Sequence, residues 1–139
     1  MIVNIYTDGA SRNNPGKSAS GYEVFDSDYN LITKKSFYNG IKTNNAAEYL
    51  AVIGALQAAA QECGYDVEVN LYSDSRLIVS QLRGEFKIKH PDMKNLNLEA
   101  ISLLKKFTNF TLFNVPRENE HIIEVDAALN ELLDKYEGN

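Results

Sequence analysis

Ile2-Val3-Asn4-Ile5-Tyr6-Thr7-Asp8-Gly9-Ala10-Ser11 opens the chain as an apolar, β-branched run that closes on an acid and a glycine. The run favours a strand, and its few polar breaks favour one buried on both faces. A carboxylate at the end of such a strand stands at the rim of a sheet, beside the core but open above. Gly9 permits a sharp turn or a close approach. Taken alone, Asp8-Gly9 reads as a turn. Three further acids along the chain supply a second reading.

The rest of the chain follows from turn and helix signals. Residues 11–16 form a turn cluster around Asn14-Pro15-Gly16. Residues 21–25 alternate as a strand, 26–30 turn the chain, and 31–38 form a strand whose Lys34 and Lys35 suit an outer position. Three opening strands imply an antiparallel meander. Asn44 or Asn45 is expected to cap a helix over 46–63, stopped by Gly64. Glu48 lies in its first turn, facing the same way as Ala51, Val52 and Ala55, a small apolar face suited to close packing. Residues 67–73 alternate as a strand and lead to Asp74, by itself an ordinary N-cap for the helix that runs to Gly84. Asp92 is expected to cap a third helix through Phe107, with Leu96, Leu98, Ile101, Leu104 and Phe107 buried. A fifth strand over 110–115 and a polar loop lead to a last helix over about 122–136. Asp126 sits there among Ile122, Val125 and Leu129. The order βββαβααβα implies an α/β protein, a mixed sheet with helices packed on it.

The 139 residues suit one domain, 1–139, with 44% hydrophobic and 24% charged residues. No apolar run approaches the ~20 residues that span a bilayer. The first residues lack the pattern of a secretion signal. Cys63 is the only cysteine, so no internal disulfide forms and a reducing, cytoplasmic setting is expected. The net charge of -5 argues against a broadly basic nucleic-acid binder. Charge is uneven, however. Arg83, Lys87, Lys89 and Lys94 outweigh Glu85 and Asp92 in the middle, whereas residues 117–139 are strongly acidic.

Asp8 and Asp74 close strands, while Glu48 and Asp126 lie near helix starts. If the two strands are parallel neighbours, their carboxyl ends meet where open α/β sheets bind ligands. Converging carboxylates repel one another, and divalent cations relieve that repulsion. All-oxygen donors suit Mg²⁺ or Mn²⁺ rather than Zn²⁺. Two such ions ~4 Å apart clamp the attacking water and the leaving oxygen of a phosphodiester. The expectation from chemistry is a metal-dependent phosphodiester hydrolase.

Thr7-Asp8-Gly9-Ala10-Ser11, Asn14-Pro15-Gly16, Thr43-Asn44-Asn45-Ala46-Ala47-Glu48, Tyr72-Ser73-Asp74-Ser75 and Val115-Pro116-Arg117-Glu118 before Asp126 together resemble type 1 ribonuclease H, over nearly the whole chain and in order. The resemblance implies a ribonuclease H-like fold. Its five-stranded mixed sheet joins an antiparallel meander of strands 1–3 to parallel strands 4 and 5, with helices on both faces. It implies a monomer that cleaves the RNA strand of RNA–DNA hybrids with two Mg²⁺ ions, Mn²⁺ being a substitute, and leaves 3′-hydroxyl and 5′-phosphate ends. By position, Asp8, Glu48, Asp74 and Asp126 would be the metal ligands. Asn14, Asn44 and Asn45 would read the RNA strand around its 2′-hydroxyls, and Thr43 would grip a phosphate of the DNA strand. His121 would be the histidine that assists proton transfer or product release.

This chain departs from the family pattern around its last helix. Val125 precedes Asp126 where alanine is usual, the gap from Arg117 to Asp126 is about two residues longer than the commonest spacing, and Ile122 replaces an asparagine. Glu124 therefore stands as the alternative fourth ligand. The chain has no Trp, and only Lys87, Lys89, His90 and Lys94 occupy the region of the family's Trp-rich basic protrusion. Salt-sensitive substrate binding is expected. Two other readings compete. A module that binds nucleic acid or protein without cutting has no use for four converging acids. A 3′–5′ exonuclease of related fold would begin Asp-x-Glu, where this chain has Asp8-Gly9-Ala10.

Overall fold

The structure is a computed structural model that describes residues 1–137; the last two residues of the expected 1–139 domain lie outside the described residues. In chain order the elements are β1 (Ile2–Arg12), β2 (Gly16–Phe25), β3 (Leu31–Lys42), α1 (Asn44–Cys63), β4 (Glu68–Ser73), α2 (Arg76–Leu82), α3 (Pro91–Leu104), β5 (Asn109–Asn114) and α4 (Glu120–Glu137). The strands form one sheet in the order β3-β2-β1-β4-β5. The β1–β2 and β2–β3 pairs are antiparallel, and the β1–β4 and β4–β5 pairs are parallel. The expected mixed sheet is present, with the β-branched opening strand at its centre.

Period-two alternation sends β1 side chains to both faces. Val3 and Ile5 join a core with Tyr49, Val52 and Leu56 of α1, Ile78 of α2 and Leu104 of α3. Tyr6 joins a second core with Ile122, Val125, Leu129 and Leu133 of α4. Helices therefore cover both faces. None of the described helices is long and apolar enough to cross a membrane.

Four local expectations are corrected. Asp8 does not end β1. The strand continues to Arg12 because β2 pairs with it as far as Arg12↔Lys17, while β4 leaves after Thr7↔Ser73. Thr43, not Asn44 or Asn45, caps α1; its Oγ1 accepts from Ala46 N–H at 3.1 Å. His90, not Asp92, caps α3, with Pro91 opening the helix. Within α3, Leu98 is exposed and Asn97 is buried. Asn97 Nδ2 donates to Tyr49 Oη at 3.1 Å and to Gln81 O at 3.3 Å, and the Tyr49 hydroxyl donates to Gln81 Oε1 at 2.6 Å. A satisfied polar network, not an apolar contact, joins α1, α2 and α3 there.

Gly9 is where β1 meets α1. A Cβ on it would overlap the Ala47 carbonyl and the Glu48 amide. Both clashing groups are backbone, so the helix itself must shift. Gly9→Ala should lower unfolding free energy by ~3 kcal/mol, read as a lower urea midpoint at unchanged m-value.

Candidate active site

The parallel register brings the first two acids together. Because β1 and β4 pair up to Thr7↔Ser73, Asp8 and Asp74 each follow the last paired residue at the carboxyl edge of the sheet. Asp8 remains held in β1 through its pairing with Gly21. Glu48 arrives from the first turns of α1. Carboxylate oxygens of Asp8, Glu48 and Asp74 lie within 4.8 Å of one another. Asp8 and Glu48 are only 5% and 6% exposed, and Asp74 is half-buried. The N-cap role open to Asp74 is taken by Ser75, whose Oγ accepts from Ile78 N–H at 3.2 Å.

Asp126 of α4 is exposed and lines the same cavity of about 850 Å³ as these three acids. Its carboxyl adds to the upward shift of Asp8, although it is not one of the three that meet within 4.8 Å. Glu124 is absent from that cavity among the described residues; it lines another, between β2, β3 and α4.

The electrostatics follow from burial and like charge. Burial pushes the Asp8 carboxyl up to about 8, with Asp74 and Asp126 adding to the effect. Glu48 is raised well above the carboxylate range, chiefly by burial and then by Asp8 and Asp74. Burial also raises Asp74, with Arg117 opposing. Arg117 is the only basic side chain lining the cavity among the described residues. Oxygen donors with this surplus of negative charge fit hard divalent cations, and no thiolate or imidazole is among them.

The asparagines brace the rim. Asn44 lines the cavity; its Oδ1 accepts from Ser11 N–H at 3.2 Å, and its own N–H donates to Asn14 Oδ1 at 3.0 Å. Asn45 is half-buried in the first turn of α1. Thr43 faces a separate cavity of about 550 Å³, beside Pro15, Lys42 and His90. His121 departs from its expected place. It does not line the acidic cavity among the described residues; its ring packs on Tyr6 and Phe25, at 4.6 Å from each. Asn119 starts α4 about two residues early, its Oδ1 accepting from the N–H groups of His121 and Ile122, and this start carries the imidazole onto the sheet. Arg117 and Asn114, which carry no role in the sequence pattern, also line the cavity. Asn114 Nδ2 donates to Ser73 O at 3.1 Å, fixing the chain just before Asp74. Their position at the end of the fifth strand and just beyond it, at the same sheet edge, is the signal that marks them.

A family model described as RNase H matches residues 1–124. The chain belongs to the ribonuclease H family. Asp126 lies just beyond the matched residues. A protein called ribonuclease HI from Halobacterium salinarum is 39% identical over 132 residues, covering 95% of this chain and 64% of the relative. A bifunctional protein of Mycobacterium tuberculosis is 34% identical over 135 residues, 96% of this chain and 36% of the relative. The chain thus spans less than two thirds of these curated relatives. Among solved structures, RNase H1 of Halobacterium salinarum superposes with TM-score 0.90 at 38% identity, covering 97% of this chain and 99% of that one. An RNase H1 called LC11, solved with an RNA/DNA hybrid, superposes with TM-score 0.88 at 35% identity, covering 96% and 98%.

Asp8 binds a proton in the folded state up to about pH 8, against a usual value of 3.8. Between those values the folded chain holds more protons than the unfolded one, so without metal its stability falls as pH rises. Asp8→Asn should remove part of this slope and stabilise the metal-free chain at pH 8 by at least ~1 kcal/mol. Thermal unfolding in EDTA at pH 5 and pH 8 measures both effects.

Proposed function

We propose that this chain is a metal-dependent endonuclease that hydrolyses the RNA strand of RNA–DNA hybrids. It uses two divalent ions, Mg²⁺ or Mn²⁺, and leaves 3′-hydroxyl and 5′-phosphate ends. We read residues 1–139 as one such domain. The observation that carries the proposal is the meeting of Asp8, Glu48 and Asp74 within 4.8 Å, two of them buried, at the open edge of the sheet. Three carboxyls so placed repel one another and weaken the metal-free fold. A cation-binding role accounts for that arrangement, and a packing role does not. The relatives named ribonuclease HI and the hybrid-bound LC11 structure support the same substrate.

In this reading Asp8, Glu48 and Asp74 hold the ions, and Asp126 completes the set. When bound, the ions supply positive charge to the phosphodiester oxygens and lower the pKa of the attacking water. The protein supplies position. Asp8 is fixed in a central strand, and Glu48 is fixed on a helix seated against Gly9. Asn44 is tied to Ser11 and Asn14, which presents Asn14, Asn44 and Asn45 to the 2′-hydroxyls that distinguish RNA from DNA. Thr43 and the cavity beside Lys42 and His90 offer a phosphate of the DNA strand a place outside the acidic centre. Arg117 at the rim attracts the scissile phosphate.

Cleavage of a labelled hybrid in Mg²⁺ tests the assignment. Asp8→Asn and Asp74→Asn should each lower the rate by ~10²-fold or more, and EDTA should abolish cutting. Asp126→Asn should fall with them, whereas Glu124→Gln, on the other cavity, should stay within about twofold of wild type. A folded wild type that binds hybrid without cutting would leave the non-cutting module as the better reading. Replacing the exposed Lys87, Lys89 and Lys94 with alanine should weaken hybrid binding and reduce the salt slope by about one for each lysine that meets a phosphate.

A further inference from the structure

The first turn of α4 carries a second group of donor side chains that the acidic cavity does not use. His121 and Glu124 lie one turn apart on α4, and Glu23 lies on β2 against them. One donor atom from each falls within 4.8 Å of the other two. His121 Nδ1 is 3.4 Å from Glu124 Oε1 and 3.7 Å from Glu23 Oε1. Nδ1 and Glu23 Oε1 are both buried and make no hydrogen bond. The Glu23 side chain is only 7% exposed, yet its unpartnered oxygen faces the imidazole. Buried polar atoms are nearly always hydrogen-bonded, and two facing orphans call for an explanation.

We propose that Glu23, His121 and Glu124 form a binding site for a first-row transition-metal dication of the Zn²⁺ type, which staples the start of α4 to β2. One imidazole nitrogen and two carboxylate oxygens make a borderline donor set, unlike the all-oxygen set of the acidic cavity. Zn²⁺ binds such donors at ~2.0–2.2 Å, and around a tetrahedral centre they stand about 3.4 Å from one another. The distances from Nδ1 to the two carboxylates are close to that spacing. A histidine and a glutamate three apart on one helix are also the spacing by which helix bundles hold metals. The imidazole is already oriented for the task. Tyr6 and Phe25 pack on it, and Nε2 faces Glu120 Oε1 at 3.6 Å, which leaves Nδ1 as the ligand atom. Glu23 and Glu124 line a cavity of about 540 Å³ that gives an ion a way in. Lys34 lines it too and offsets part of the acids' charge.

The site stands independently of the hydrolase reading, so its test uses a chain whose acidic cavity is disabled. In an Asp8→Asn, Asp74→Asn background, calorimetric titration with Zn²⁺ should give one ion per chain. Co²⁺ should give the intense visible bands of a four-coordinate ion, lost in His121→Gln, and saturating Zn²⁺ should raise Tm by about 5 °C. Adding His121→Gln or Glu124→Gln should remove the stoichiometric ion and the Tm shift, with circular dichroism unchanged. Mg²⁺ at equal concentration should give neither. No Zn²⁺ binding in that background, binding that survives His121→Gln, or an equal response to Mg²⁺ would each overturn the proposal; the first would leave a bare histidine–glutamate ion pair as the role of the cluster.

Discussion

The meeting of Asp8 and Glu48 at the open edge of the sheet depends on one close approach, that of the β1 backbone at Gly9 to the α1 backbone at Ala47. No side chain separates the two elements there. Ser20 of β2 secures the contact from the neighbouring strand, its Oγ donating to Ala47 O at 2.6 Å. Further along α1, Ala51, Ala55 and Ala59 are fully buried, so short side chains keep the helix low over the sheet. The residue after Ala47 is Glu48 and the residue before Gly9 is Asp8. Two backbones in contact therefore bring two carboxyls into contact. A larger residue at either position would separate the acids before it touched either of them.

The arrangement runs against the stability of the metal-free chain. A buried carboxyl without a cation is costly to ionise, and proteins ordinarily neutralise or pair it. Here the upward shifts of Asp8, Glu48 and Asp74 all have burial as their first cause, and Arg117 opposes the shift at Asp74. The sheet tolerates this because the acids sit at its rim. Val3, Ile5, Val69 and Leu71, just below in β1 and β4, are fully buried or nearly so and supply the apolar core that the rim lacks. Fold and site thus share the same two strands, the lower half stabilising and the upper half spending part of that stability on charge.

Much of this is legible in the sequence, and the reasons are local. Apolar alternation marks a part of every strand, though in β2 only its second half, since residues 16–20 carry no such pattern and are strand by their pairing with β1 and β3; alanine content with Gly64 marks α1. The acids Asp8 and Asp74 stand out because each follows an apolar strand. What escapes is decided across elements. Whether Asp8 ends a strand depends on β2, which no local pattern encodes. Thr43 and Ser75 win the N-cap positions from Asn44 and Asp74 by one residue, and capping preferences do not separate such neighbours. Asn97 faces inward because Tyr49 and Gln81, distant in sequence, hydrogen-bond with it. His121 reads locally as a loop residue near the acids. The Asn119 cap places it inside α4 instead, on the side that meets Tyr6 and Phe25.

Asp126 differs in kind from the other three acids, because its place depends on how a whole helix is docked. Exposed ion pairs do little of that docking. Arg12 reaches Asp134 at 2.6 Å and Glu137 at 2.8 Å, but such pairs contribute ~0–1 kcal/mol each. Most of the docking comes from the buried stripe of Ile122, Val125, Leu129 and Leu133 and from the rings at either end, Tyr136 on Tyr38 at 3.7 Å and His121 on Tyr6 and Phe25. The stripe fixes the rotation of α4, and with it the direction of Asp126. Val125 belongs to that stripe, so the larger residue beside the acid also serves packing. Three acids are set by the sheet and by the helix lying on it. The fourth is set by a separate core on the opposite face, so the sequence around it can change while the cavity keeps its acid.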